Sequence, residues 1–329
     1  SSPLQLSSPF MLAALLVFFL VTGCLHRRRT ARNLFTVIFS LSLYYKLSGA
    51  YVLLLLFIAL SDYLIAGRIG GIAAFTDYGN EDSAAGNRRC RALVGFSVAI
   101  NVSILLFFKA NGVFSDLLCS ISSGNISLRH IAVPAGISFF CFQSISYVVD
   151  TYRGTIQPLR RFTDYLFLLS FFPKMFLGPL VKNADFIAQM RREEISVSSE
   201  DSSTATRMIV FGIVKFCMLS KIIGSLFVAP AFAGTLGDSG FVALMAVFAF
   251  TIQLYCDFSG YTDLACGISL LAGYRLPLNF NFPYHSATIT EFWRRWHITL
   301  SSWLRDYLYI PLGGSRRGTA RTYLNLLLT

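Results

Sequence analysis

The chain has 329 residues, 54% of them hydrophobic and 14% charged, against roughly 25% charged in soluble domains, which excludes a soluble globular protein and makes this an integral membrane protein, read as one polytopic transmembrane domain. Its net charge of +11, from 28 Lys and Arg against 17 Asp and Glu, does not point to nucleic acid, because the basic residues lie in short loops between apolar runs, where the positive-inside rule places them. Seven cysteines without a Cys-x-x-Cys pair read as small buried hydrophobes and exclude a disulfide frame or zinc site.

Phe10 to Leu25 is a short first span closed by His26-Arg27-Arg28-Arg29, which is expected in the cytoplasm. The basic cluster follows the apolar run, so no cleavable signal peptide is expected. Leu34 to Tyr45 and Tyr51 to Ile65 are two further runs joined near Lys46 and Gly49, returning the chain to a loop that carries Arg68, Arg88, Arg89 and Arg91. Ala92 to Phe108 crosses outward, Ser115 to Ser127 fits the outside, and Ile131 to Val149 crosses back to Arg153, Arg160 and Arg161.

Phe162 to Val181 carries two prolines and a lysine in Phe171-Phe-Pro-Lys-Met-Phe-Leu-Gly-Pro179. Such a segment survives at membrane depth only when it is buried in protein or lines a polar cavity, so a re-entrant element is expected. Residues 182–207 are the most hydrophilic stretch and read as a solvated cytoplasmic loop. Met208 to Val228 holds Lys215 and Lys221, for which snorkelling is the simplest reading.

The only charges from Phe241 to Ala272 are Asp257 and Asp263. A carboxylate within a span costs about 2.5–3.5 kcal/mol on insertion scales and so faces a cavity or a partner. Solvation at the membrane interface is the alternative. The i,i+4 pairs Asp257–Tyr261 and Ser259–Asp263 stack polar groups along a helix.

Thr288 to Gly314 reads as one helix, opened by a Thr288-x-x-Glu291 capping box and stopped by Pro311 and Gly313-Gly314. At roughly 100° per residue, Trp293, Trp296, Leu300, Trp303, Leu304 and Tyr307 share a face, with arginines on its flanks. This pattern suits an interfacial anchor helix. His297 falls inside the aromatic face, either as a packing residue or as an acid/base group on a buried reaction path. Arg305 and Asp306 are expected in structural pairing. No phosphate loop, Gly-x-Ser-x-Gly elbow or His-Glu-x-x-His motif occurs, so no soluble-enzyme chemistry is read and no metal site is expected. On these grounds a transporter or channel subunit stays open, although no inverted repeat is visible.

Tyr255-Cys-Asp-Phe-Ser-Gly-Tyr-Thr-Asp263, Leu278-Asn-Phe-Asn-Phe-Pro-Tyr284 and the run from Ile289 through Trp293-Arg-Arg-Trp-His297 to Gly314 resemble the membrane-bound O-acyltransferase family. The likeness is to its bacterial alginate O-acetyltransferase branch, beside peptidoglycan O-acetyltransferases and the D-alanyl transfer protein for teichoic acid. Pro134 to Gly154 and Phe171 to Val181 resemble two more of its blocks. The likeness is strong over about 130–329.

The resemblance implies an all-α bundle of tilted, broken and re-entrant helices around a transmembrane tunnel, multi-pass in the bacterial inner membrane. It implies acetyl-CoA as cytoplasmic donor with no resident cofactor, a cell-surface polysaccharide acceptor and an extracytoplasmic partner acyltransferase. His297 matches one of the branch's two histidines and is expected to be catalytic. Asp257, Tyr261 and Asp263 are expected to form a polar cavity, Trp293 and Trp296 its walls, and Arg294 and Arg295 are expected to meet the donor's phosphates. The other histidine, which the resemblance implies is the principal catalytic one, lies in a Gly-Leu-Trp-His-Gly motif downstream of this sequence in the family. The expectation is therefore a truncated enzyme, inactive in acetyl transfer as it stands, with a non-catalytic scaffold that docks a partner as the alternative.

Overall fold

Every regular element among the described residues is helical, with no strand among them. The computed structural model describes residues 9–76, 83–121, 132–176, 178–237 and 239–329. The helices are α1 (Pro9–Cys24), α2 (Arg29–Ser48), α3 (Val52–Thr76), α4 (Ser83–Ile121), α5 (Ile137–Tyr152), α6 (Phe162–Ser170), α7 (Phe172–Met175), α8 (Asn183–Met190), α9 (Ser199–Phe232), α10 (Gly240–Leu271), α11 (Ile289–Arg295), α12 (Ile298–Leu304) and α13 (Thr319–Leu328). Four stretches, Arg29–Ala73, Gly86–Gly112, Ser199–Phe232 and Gly240–Leu271, are long and apolar enough to cross a membrane. Their outward residues, Leu53, Leu106, Leu226, Phe241 and Phe248 among them, are exposed and meet lipid in a bilayer. The chain is an all-α polytopic membrane protein. The six described cysteines are unpaired thiols.

By contact the chain gathers into two units where the sequence reads as one domain. The first comprises Leu20–Phe176 and Lys182–Glu193; the second comprises Leu177–Val181 and Glu194–Thr329, with α1 as far as Phe19.

In the first unit α5 is the central helix, buried nearly all round. Many of its polar side chains bond to other groups inside the protein, as lipid favours. Gln143 donates to Asn183 Oδ1 at 2.6 Å, and Asn183 donates to Asp150 Oδ2 at 2.8 Å. Asp62 on α3, a buried carboxylate within a span, accepts from Ser97 at 2.6 Å and Asn101 at 2.9 Å. The Pro173 segment is broken and fully buried, as its composition requires: α6 stops at Ser170, α7 is a single turn, and residues 171–176 are all buried.

Two sequence readings change here. Residues 182–207 are a loop only over 191–198: α8 occupies 183–190 with Asn183, Phe186, Ile187 and Met190 buried, and α9 starts at Ser199 with Ser198 capping the Asp201 N–H at 3.0 Å. The net polarity of the stretch hides a short amphipathic face. Arg88, Arg89 and Arg91 stand on α4 instead of in a loop. The Ser-rich segment expected outside lies, beyond residue 121, outside the described residues.

In the second unit α9 and α10 pack along their length. A Cβ on Gly260 would sit 2.7 Å from the Phe216 nitrogen and 3.0 Å from the Gly212 carbonyl oxygen, so the two backbones touch through paired glycines, as small residues allow in membranes. Gly260→Ala is expected to destabilise by about 1–3 kcal/mol through overpacking. Gly240→Ala, where no atom lies within 4 Å, should not. Thermal unfolding in detergent reads both, and equal midpoints would refute the tight contact.

Candidate functional site

The expected single helix from Thr288 to Gly314 is two short helices with a break between them. α11 ends at Arg295, Trp296 is extended, and His297 takes a left-handed conformation with φ 42° and ψ 53° before α12 begins at Ile298. Non-glycine residues rarely adopt this conformation, and a strained backbone persists only where its surroundings fix it. They do so here. The Asn281 N–H donates to the Arg295 carbonyl at 3.0 Å, and the Ile298 N–H donates to the Asn279 carbonyl at 2.9 Å, clamping the chain on both sides of His297. The Thr299 hydroxyl donates to Asn279 Oδ1 at 2.5 Å and accepts the Leu180 N–H at 3.1 Å. Asn279 and Thr299 are both buried. Three motifs distant in sequence, around Pro179, Asn279 and His297, thus converge to hold one imidazole.

The capping box forms in part. Glu291 N–H donates to Thr288 Oγ1 at 3.1 Å, but the Glu291 carboxylate turns to the Ala287 N–H, one residue before the expected partner. Pro311 and the two glycines still end the helical run, whose last turn over 305–309 widens to π-type. Arg305 and Asp306 pair with each other at 2.8 Å.

The His297 ring stands edge-on to Phe258 of α10, with centroids 4.7 Å apart. Around Trp296 gather Phe292 at 5.5 Å, Phe280 at 5.0 Å, Tyr284 at 6.1 Å and Tyr255 at 6.3 Å. His297 lies outside the four long apolar stretches, and burial lowers its pKa to about 4. The imidazole is therefore neutral at pH 7 and able to take a proton.

The other expected site residues fall in different places. Asp263 forms an ion pair with Lys215 of α9, whose ammonium also donates to Ser259 at 2.6 Å and lies over the Tyr255 ring. Lys215 therefore does not snorkel; it turns inward to a carboxylate. Asp257 accepts from Ser220 at 3.1 Å, and Tyr261 is buried against Phe216. Both aspartates thus face α9. Trp293 is 55% exposed and meets the Trp296 cluster only at its edge, through Phe292. Arg295 is engaged by Glu291 at 2.7 Å, whereas Arg294 is exposed.

Residues 159–329, just over half of the chain, match the model of the membrane-bound O-acyltransferase family. The chain belongs to that family. It is 39% identical over 305 residues to the probable alginate O-acetylase AlgI of Pseudomonas aeruginosa, covering 91% of this chain and 55% of that protein. It is also 39% identical over 314 residues to the same-named protein of Pseudomonas putida, at 90% and 63% coverage. To the peptidoglycan O-acetyltransferase of Helicobacter pylori it is 34% identical over 253 residues, covering 69% and 48%. The chain thus spans 55% to 63% of the length of the first two of these relatives. The family match includes the clamp around His297 and the α9–α10 pair.

Sequence reasoning did not single out Lys215, Ser220, Phe258, Asn279 or Thr299 as members of the site. Lys215 had a signal, a cation and a carboxylate in two neighbouring apolar runs. Asn279 and Thr299 had none beyond their place in the family-like blocks.

Proposed function

We propose that this chain is part of a membrane O-acetyltransferase that takes an acetyl group from cytoplasmic acetyl-CoA and passes it across the inner membrane toward an envelope or extracellular polysaccharide. The observation that carries the reading is the clamped, neutral His297 on a strained backbone, within a chain of the acyltransferase family. Strain held by surrounding hydrogen bonds is characteristic of preorganised sites. A neutral imidazole here acts as a general base, taking a proton from the acceptor nucleophile as it attacks the donor thioester carbonyl and giving it to the departing thiolate as the C–S bond breaks, which regenerates the neutral ring. The Trp296 cluster excludes water from that path. Exposed Arg294 is free to approach a donor phosphate, whereas Arg295 serves its own helix. The names of the relatives favour a polysaccharide acceptor, and an extracytoplasmic partner acyltransferase completes the transfer.

Deleting the native gene and complementing it tests this. Cells fed labelled acetate are expected to lose acetyl label from their envelope or secreted polysaccharide on deletion and regain it on complementation. Unchanged polysaccharide acetylation would refute the reading, and restoration by a His297 variant would leave a scaffold role in its place.

A further inference from the structure

The first unit holds a cavity of about 650 Å³ that the acyl-transfer site does not use, lined by Arg29, Arg160, Arg161 and Arg191 with Asp164 and Glu193. Four guanidinium groups against two carboxylates leave a surplus of two positive charges. Arg29 is already paired with Glu193 at 3.0 Å. Among the described residues no carboxylate forms an ion pair with Arg160, Arg161 or Arg191, whose side chains are exposed at the rim.

The walls are built, not loose. Buried Arg32 donates to the carbonyls of His26 at 2.8 Å and Arg192 at 2.7 Å, and Asn33 donates to the Met190 carbonyl at 3.1 Å. These bonds fix the end of α8 beside the start of α2. On the other side Tyr63 donates to the Arg160 carbonyl at 2.8 Å, and the Leu159 N–H donates to Tyr147 at 2.9 Å. The 20-residue α2 and the 9-residue α6 both begin at the cavity, and neither has a side-chain cap. Uncapped N–H groups and the positive ends of two helix dipoles add to the arginines there.

We infer that this cavity is a phosphate-binding site for an anion with at least two negative charges. Arginine forks match phosphate oxygens bidentately, and the volume lies within the roughly 300–1,000 Å³ of small-molecule sites. Basic clusters that serve only to orient a membrane protein need charge near the span ends, not a cavity with fixed walls. The anion is either the headgroup of a lipid with paired phosphates or a soluble phosphate compound; both present the same chemistry to the arginines. The inference does not depend on the acetyl-transfer reading.

The test uses the purified chain in nanodiscs of neutral lipid titrated with inorganic pyrophosphate, and in nanodiscs containing cardiolipin with bound lipid counted by native mass spectrometry. Binding in at least one arm is expected, weakened at least about tenfold, or roughly 1.4 kcal/mol, in R160Q/R161Q/R191Q and unchanged in R68Q. Pyrophosphate alone binding identifies a soluble anion, cardiolipin alone a lipid headgroup, and mutual displacement one site open to both. R160K/R161K/R191K keeps the charge and serves if the glutamine variant does not fold; it is expected to bind severalfold more weakly than the native chain. Absence of binding in both arms, or binding insensitive to both triple variants, overturns the site.

Discussion

His297→Asn in the protein expressed from its native gene is expected to reduce polysaccharide acetylation by about 10²–10⁴-fold, the range for loss of a general base, with unchanged abundance in the membrane. Asn is the suitable substitution because it tolerates the left-handed backbone at this position better than other non-glycine residues. It therefore keeps the clamp from Asn279 and Asn281 while removing the basic nitrogen. His297→Ala should lose as much activity and some stability besides. The pH dependence follows from burial, which lowers the imidazole to about 4. The base stays neutral from pH 8 down to about pH 5, so activity should be flat there and fall only as pH approaches 4. Stability runs with the same sign. Between its ordinary value near 6.5 and about 4 the unfolded chain binds a proton that the folded chain does not, so stability declines as pH falls through that window. Activity that persists in His297→Asn would return His297 to a packing role.

Breaking the Lys215–Asp263 pair is expected to have the second large effect. The two side chains are 21% and 25% exposed on helices long and apolar enough to cross a membrane, so neither is screened as a surface ion would be. Asp263→Ala leaves an ammonium with only Ser259 and an aromatic face beside it, and a loss of about 3–5 kcal/mol is expected for an uncompensated buried charge. The double variant K215M/D263L removes both charges and should recover most of that loss, because the pair's attraction largely offsets its own desolvation. Unfolding midpoints and membrane abundance of the two single variants and the double variant check this. Additive losses in the double variant would mean that the two residues stabilise the helices separately.

The all-helical membrane class was legible from composition, because lipid admits only helices whose polar groups are internally satisfied. The spans were less so: Phe10–Leu25 and Ile131–Val149, read as crossings, are not among the four stretches long and apolar enough to span, and the two runs at Leu34–Tyr45 and Tyr51–Ile65 fall in one of them. Apolar runs rich in Phe, Leu and Val, with few charges in each, declared α3, α9 and α10, and the twin prolines around Lys174 declared a buried break. The family was legible too, since the blocks at 255–263, 278–284 and 289–314 lie within the residues that match its model. The amphipathic α8 was not, because four buried side chains in a charged stretch give too weak a period to read.

The sequence by itself determined the all-helical membrane class and the family. Only the tertiary structure decided that His297 sits on a break instead of a helix face. Local propensity over 289–304 favours continuous helix; hydrogen bonds that tie Arg295, Ile298 and Thr299 to Asn281 and Asn279, about 14 to 20 residues earlier in the chain, override it. The same holds for Lys215, whose choice between snorkelling and pairing depends on which residue of α10 faces it. That register is set by the Gly212–Gly260 approach, a close packing between helices that no single-helix pattern encodes.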